Sequence, residues 1–148
     1  VSKELLPEIR TVVLRKANRS KSILEIHTDT LTKKVNALQQ NPNGSLHMWL
    51  PKRGLQIRIS VIVKIQTGPT IEKLWEQVPQ KSRVSYGTMP PSGSIINEPL
   101  AYEQTSSMER FAVLECNVKK IELLHLGKNH TRAVYNAVSD WTGTWLAP

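Results

Sequence analysis

The segment LQIRISVIVKIQ constrains this chain more than any other. Leu55, Ile57, Ile59, Val61, Val63 and Ile65 alternate with Gln56, Arg58, Ser60, Ile62, Lys64 and Gln66. A period of two sustained over such a run predicts one long strand with a buried face. The opposite face is polar without being acidic, which suits water or an anionic ligand.

Shorter strands are predicted on both sides of it. RTVVLRKA starts at Arg10, SILEIHT at Ser22, and SLHMWL follows an Asn43-Gly44 turn signal. RFAVLECNV, KIELLHL, TRAVYNAV and WTGTWLA follow towards the end. Helix signals are few. Thr32 is placed to cap TKKVNALQQ, with Val35 and Leu38 facing inward, and Asn41-Pro42 ends that element. A second helix, IEKLWEQV, carries Ile71, Leu74, Trp75 and Val78 on one stripe and stops at Pro79. TMPPSGSIINEP reads as a loop. Many short strands with two small helices predict a mainly β fold: a closed or partly closed antiparallel barrel in one domain over residues 1–148. A dimer interface over the exposed face of the long strand would add burial that so small a barrel lacks.

Several function classes drop out. Lys and Arg exceed Asp and Glu to give a net charge of +8, but the basic residues are scattered as Arg15-Lys16, Lys33-Lys34 and Lys119-Lys120. Aromatics are 5% of the chain, poor for base stacking, so nucleic acid is not the expected partner. There is no Walker-type loop, GxGxxG or GxSxG, and the one Cys and four His show no tight metal-ligand spacing. No metal is expected. No apolar run reaches the ~20 residues of a membrane helix, and VSKELLPEIR lacks the layout of a secretory signal. With Cys116 as the only cysteine, a cytoplasmic protein is expected.

Lys33 and Lys34 fall in the first turn of the predicted helix, where the dipole disfavours cations. A bound phosphate reverses that sign, because helix N-termini favour anions. Arg10 and Arg15 are five residues apart, so a regular strand would turn them to opposite faces unless a bulge intervenes.

Taken in order, these segments resemble the pyridoxamine-phosphate oxidase-like family of FMN-binding split barrels. The family's Arg-x-Val-Leu-Leu-Lys stands here as Arg10-Thr11-Val12-Val13-Leu14-Arg15. An aromatic-Thr-Asn, a Ser-Arg-Lys before a short helix, and Asn-Pro stand as His27-Thr28-Asp29, Thr32-Lys33-Lys34 and Asn41-Pro42. Arg-Gln-Val-Arg-Ile stands as Leu55-Gln56-Ile57-Arg58-Ile59, and Pro-x-x-Ser as Pro79-Gln80-Lys81-Ser82. His-x-Arg with a later Tyr is similar to His130-Thr131-Arg132 and Tyr135. The closing residues Trp141 and Leu146-Ala147-Pro148 fit as well.

The resemblance implies an FMN-binding split β-barrel, homodimeric, with FMN at the subunit interface. It implies that Arg10, Lys33, Lys34 and the Thr28 region hold the FMN phosphate and ribityl chain, with Arg15 and His27 also among the cofactor-binding residues. Val12, Val13 and Leu14 would offer backbone groups to the flavin. Gln56 would hydrogen-bond the ring, and Arg132 would approach it from the partner. Ser82, Lys128 and His130 are the implied substrate contacts, with His130 the candidate for proton transfer. The B6-phosphate side departs from the pattern: a Tyr and an Arg are replaced by Leu74 and Val78, a flavin-contacting Trp by Leu124, an Arg by Lys128, and the closing Arg by Trp145. Two functions follow: an FMN-dependent oxidoreductase of unnamed substrate, or a flavin-binding or regulatory module without turnover. Family members carry a helix and a strand ahead of Arg10, so an N-terminal portion is expected to be missing from the sequence as given.

Overall fold

The computed structural model describes residues 7–148. The alternating run becomes strand β4 (Leu55–Gln66). It pairs along its whole length with β5 (Phe111–His125), so RFAVLECNV and KIELLHL are one strand rather than two. The join is a bulge. Register passes from Ser60↔Lys120 to Val61↔Val118, which leaves Lys119 as the extra residue.

The other edge of β5 is shared between two neighbours on either side of that bulge. Phe111–Asn117 carries β2 (Ile23–Asp29), and Lys120–His125 carries β6 (Thr131–Asn136). The sheet therefore forks at Lys119. On one branch, β1 (Leu14–Asn18) lies beyond β2; on the other, β7 (Gly143–Leu146) lies beyond β6. β3 (Asn43–Leu50) closes the far side of β4. All pairings are antiparallel, and the sheet has seven strands. Among the described residues, no ladder joins β1 to β3, and between them opens a cleft of about 710 Å³.

Three expectations are corrected. The first strand begins at Leu14, and residues 7–13 lack regular structure. Asn43 and Gly44 are paired residues of β3 (with Ile62 and Val61), so they are not a turn. A side chain at Gly44 would bring Cβ within 3.3 Å of Val61 Cγ2, so close strand packing explains that glycine. The Pro-x-x-Ser segment forms a short helix, α3 (Gln80–Arg83), rather than a plain turn.

The core has two parts. Ile26, Ile59, Val61, Val63, Leu114, Cys116 and Val118 form the larger, with Leu38 of helix α1 (Lys33–Gln40) packed against it. The inward residues of β4 are the ones the alternation selects. The second part lies where α2 (Glu72–Gln77) covers the start of β5. It is built from Ile71, Val78, Tyr86, Phe111 and Val113, with Leu74 and Trp75 against them. The predicted apolar stripe of that helix therefore faces this cluster. Full burial of Ile71 or Phe111 contributes on the order of 1.5–3 kcal/mol each.

Candidate functional site

One group of predicted residues gathers where β2 runs into α1. Asp29, at the end of β2, is buried and accepts the Leu31 N–H at 2.8 Å. Arg110 Nη2 lies 2.5 Å from Asp29 Oδ2, with side chains 15% and 6% accessible respectively. A buried ion pair of this kind fixes the turn that aims the start of α1. Thr32 stands at the N-cap, but its hydroxyl donates to the Asp29 carbonyl at 2.9 Å instead of capping the helix. The first-turn amides therefore have no side-chain cap, an arrangement suited to an anion.

Lys34 turns back over this turn. Its Nζ donates to Thr28 Oγ1 at 2.5 Å and to Thr32 Oγ1 at 3.3 Å. Arg10, Thr32, Lys33, Lys34, Ser92 and Gly93 line a cleft of about 400 Å³ together with Glu8 and Ile9. Burial lowers the Lys34 pKa below the ordinary 10.5, and the nearby Arg10 charge lowers it further against the opposing pull of Asp29. Arg10 is ion-paired with Glu8. Three cations thus meet around one cleft with a single flanking carboxylate.

The neighbours of this group divide. Thr28 belongs to it, but the side chain of His27 points to the other face of β2. There it lies 3.1 Å from Glu25 and edge-on to Phe111, with ring centroids 5.0 Å apart. His27 therefore does not join the cation cleft through its side chain. Val12, Val13 and Leu14 are exposed, and Val12 and Leu14 border the larger cleft beside Arg10. Arg15 is the bulged residue of β1, where register passes from Leu14↔Ile26 to Lys16↔Glu25, and it lines neither cleft.

Gln56 and Arg132 lie elsewhere. Register places Trp49, Gln56, Leu124, Arg132 and Leu146 in one cross-strand row over β3, β4, β5, β6 and β7. Thr28 pairs with Ala112, next to the Val113 that pairs with Gln66. Gln56 sits ten positions earlier on β4, or ~33 Å of strand at ~3.3 Å per residue. One chain therefore carries its predicted phosphate and ring residues at opposite ends of the sheet. Ser82 lies half-buried on α3, at the Phe111 end. Lys128 and His130 are exposed on the β5–β6 connection, at the Gln56 end.

Beside that row lies a charged one. Glu122 is buried, with Arg58 opposite it on β4 and Arg132 diagonal to it on β6. Arg132 Nε donates to Glu122 Oε1 at 2.9 Å, and Nη2 lies 2.8 Å from the same oxygen. Arg58 also donates to Oε1. Hydrogen bonding from Arg58, and then from Arg132, holds the carboxyl below the usual carboxylate range despite its desolvation.

Sequence reasoning missed Asp29–Arg110, Glu122–Arg58 and Ser92-Gly93. The Asp29 and Arg110 partners are 81 residues apart and the Arg58 and Glu122 partners 64, so no local pattern marks them. For the loop there was a signal: Gly93 adopts φ 90°, and a Cβ there would sit 3.7 Å from Lys33 Cε.

Residues 1–67 match the family model described as "Pyridoxamine 5'-phosphate oxidase, FMN-binding domain". A Caenorhabditis elegans protein provisionally named a pyridoxamine 5'-phosphate oxidase is 26% identical over 148 residues, all of this chain. The chain spans 58% of that relative's length. Among solved structures, a pyridoxamine 5'-phosphate oxidase-related, FMN-binding protein of Nostoc punctiforme superposes with a TM-score of 0.82 at 20% identity, over 100% of this chain and 84% of the other. PhzG of Burkholderia lata, solved with tetrahydrophenazine-1-carboxylic acid, gives 0.76 at 17% identity, over 100% and 79%. These two likenesses establish the fold. Apart from Ser92 and Gly93, the residues that line the cation cleft fall within the segment matched by the family model, and over that segment the chain is similar to the pyridoxamine 5'-phosphate oxidase FMN-binding domain.

Proposed function

We propose that this protein is an FMN-dependent oxidoreductase: a single split-barrel domain over residues 1–148 that works as a homodimer. Arg10, Lys33, Lys34 and the start of α1 hold the cofactor phosphate. Gln56 and Arg132 of the partner subunit meet the ring. The observation that carries this reading is the convergence of Arg10, Lys33 and Lys34 on one cleft. A phosphomonoester fits it well, since an anion offsets both the burial that lowers the Lys34 pKa and the repulsion from Arg10.

The distance between the two ends supports a dimer. FMN is far shorter than the ~33 Å of strand between the two ends, so both ends serve one flavin only if they belong to different subunits. The same division brings Ser82 of one chain towards the end occupied by Lys128 and His130 of the other. FMN held there would supply a hydride acceptor that oxygen or another acceptor reoxidises. His130 is exposed beside Arg132 in sequence, where it is free to exchange protons with a substrate. The reading places the protein in the reducing cytoplasm; among the described residues, no helix is long and apolar enough to cross a membrane.

A second reading, a flavin-binding module without turnover, draws on Val78 and Leu74. Val78 is buried and Leu74 is packed in the second core cluster, where vitamin-B6 oxidases carry substrate-phosphate ligands. Purified protein should be yellow, with a dimer mass. Reduction of its flavin by a pyridoxamine or pyridoxine phosphate, or by a nicotinamide, supports the enzyme. A yellow protein that none of them reduces supports the module. A colourless protein that takes up no FMN on soaking rejects both.

A further inference from the structure

We propose that Glu122 is a positioning residue for the flavin ring: it clamps Arg58 and Arg132 together and so sets where the Arg132 guanidinium stands beside Gln56. The proposal rests on the reading above, in which Arg132 and Gln56 meet the ring of a partner's FMN.

The geometry is specific. Glu122 Oε1 receives Arg132 Nε at 2.9 Å, has Arg132 Nη2 at 2.8 Å, and also receives Arg58. The two arginines come from strands on opposite sides of β5, so the carboxylate bridges the branch that ends in β7 to the β3–β4 branch. The Glu122 side chain is 8% accessible, against 30% for Arg132 and 47% for Arg58. The anion is thus enclosed by its two cations, which remain half-open on the face that carries Gln56 and Trp49. Fixing both its Nε and an Nη atom on one oxygen limits rotation of the Arg132 guanidinium. Two guanidiniums on one carboxylate also leave a net positive charge at this place. The lowered pKa of Glu122 agrees with a carboxylate that stays ionised at neutral pH.

Other groups on this face do not supply that anion. Across β3, β4, β5 and β6, the register neighbours of Glu122 are His47, Arg58 and Val134, and those of Gln56 are Trp49 and Leu124. Glu122 is the only carboxylate in those two rows.

The test is a flavin titration of the full chain, followed by fluorescence quenching, with FMN and with riboflavin, which lacks the phosphate. Glu122→Gln should weaken both ligands by the same factor, on the order of tenfold, as for loss of a charge-assisted contact. Glu122→Asp keeps the charge and should lose less. In an Arg132→Ala background, Glu122→Gln should change neither affinity further. Unchanged affinity in Glu122→Gln, or an equal loss with and without Arg132, overturns the proposal. Should Glu122→Gln not fold, the comparison of Glu122→Asp with Arg132→Ala carries the same cycle. If the unaltered protein binds neither flavin, the FMN reading itself fails; if it binds both and Glu122→Gln is silent, only the clamp fails.

Discussion

The two ends of the β4–β5 ladder handle charge in opposite ways. At the Gln66 end, a buried ion pair, Asp29–Arg110, is spent on architecture: it fixes a turn so that Lys33, Lys34 and Arg10 crowd around an opening. At the Gln56 end, the buried carboxylate of Glu122 is itself paired with two cations, beside a cross-strand row that includes Trp49, Gln56 and Leu124. The first end has unsatisfied positive charge inside a cleft, which selects a compact anion. The second keeps a smaller net positive charge, spread over an open sheet face, which suits a planar, weakly charged partner. FMN has one of each.

Arg110→Ala should break this contrast most severely. It strands a buried Asp29 without its partner, which costs about 3–5 kcal/mol. Thermal and urea unfolding measure the loss, and FMN affinity should fall with it. A loss under ~1 kcal/mol would mean that water replaces Arg110 and that the turn is held otherwise.

Lys34→Ala comes next. Removing its charge should weaken FMN by about 1.5–3 kcal/mol, or roughly 10–100-fold, and leave riboflavin unaffected. Equal losses for the two ligands would move Lys34 out of the phosphate site. FMN affinity should also fall as pH rises through the Lys34 pKa, below the ordinary lysine value of 10.5. Only the protonated ammonium pairs with phosphate, so a phosphate-dependent pH profile reports it directly.

At the other end, Glu122 offers an acid-side comparison. Its folded pKa is depressed, so its stabilising contribution is full above the ordinary carboxylate range and is lost as pH falls below it. Glu122→Gln should therefore flatten the acid limb of the stability curve, and an unchanged limb would place the acid sensitivity elsewhere. Gln56→Leu should alter the flavin absorbance envelope or its potential while sparing the phosphate contact. Identical spectra and potential would remove Gln56 from the ring.

The smallest effect is expected for Glu8→Gln. Glu8 pairs with Arg10 and competes with a bound phosphate, so its loss should tighten FMN by no more than ~1 kcal/mol. Weaker binding would mean that Glu8 orients Arg10 rather than competing for it.

Legibility differed between the two ends for a physical reason. Lys33 and Lys34 are adjacent on a helix start whose Thr, Asn and Pro signals are local, so their shared opening was readable from the chain. The alternation of β4 likewise marked its buried face residue by residue. The site's supports were not readable, because Arg110 reaches Asp29, and Arg58 reaches Glu122, only through strand pairing distant in sequence. The side chain of His27 leaves the cleft for a related reason: its motif neighbour Thr28 faces Lys34, and strand alternation then turns His27 to the other face. The bulge at Lys119, which splits one edge of β5 between β2 and β6, has no composition signal at all. It made one strand read as two.

The central claim is that one flavin joins the Gln66 end of one subunit to the Gln56 end of another, and subunit mixing tests it most directly. Lys33→Ala/Lys34→Ala subunits and Arg132→Ala subunits each damage both sites of their own dimer. In a mixed dimer, one site receives intact residues from both chains and the other receives none. Mixing the two variants should therefore restore tight FMN binding at half the sites of each mixed dimer. Mixed dimers that form and still show no tight site would contradict the account.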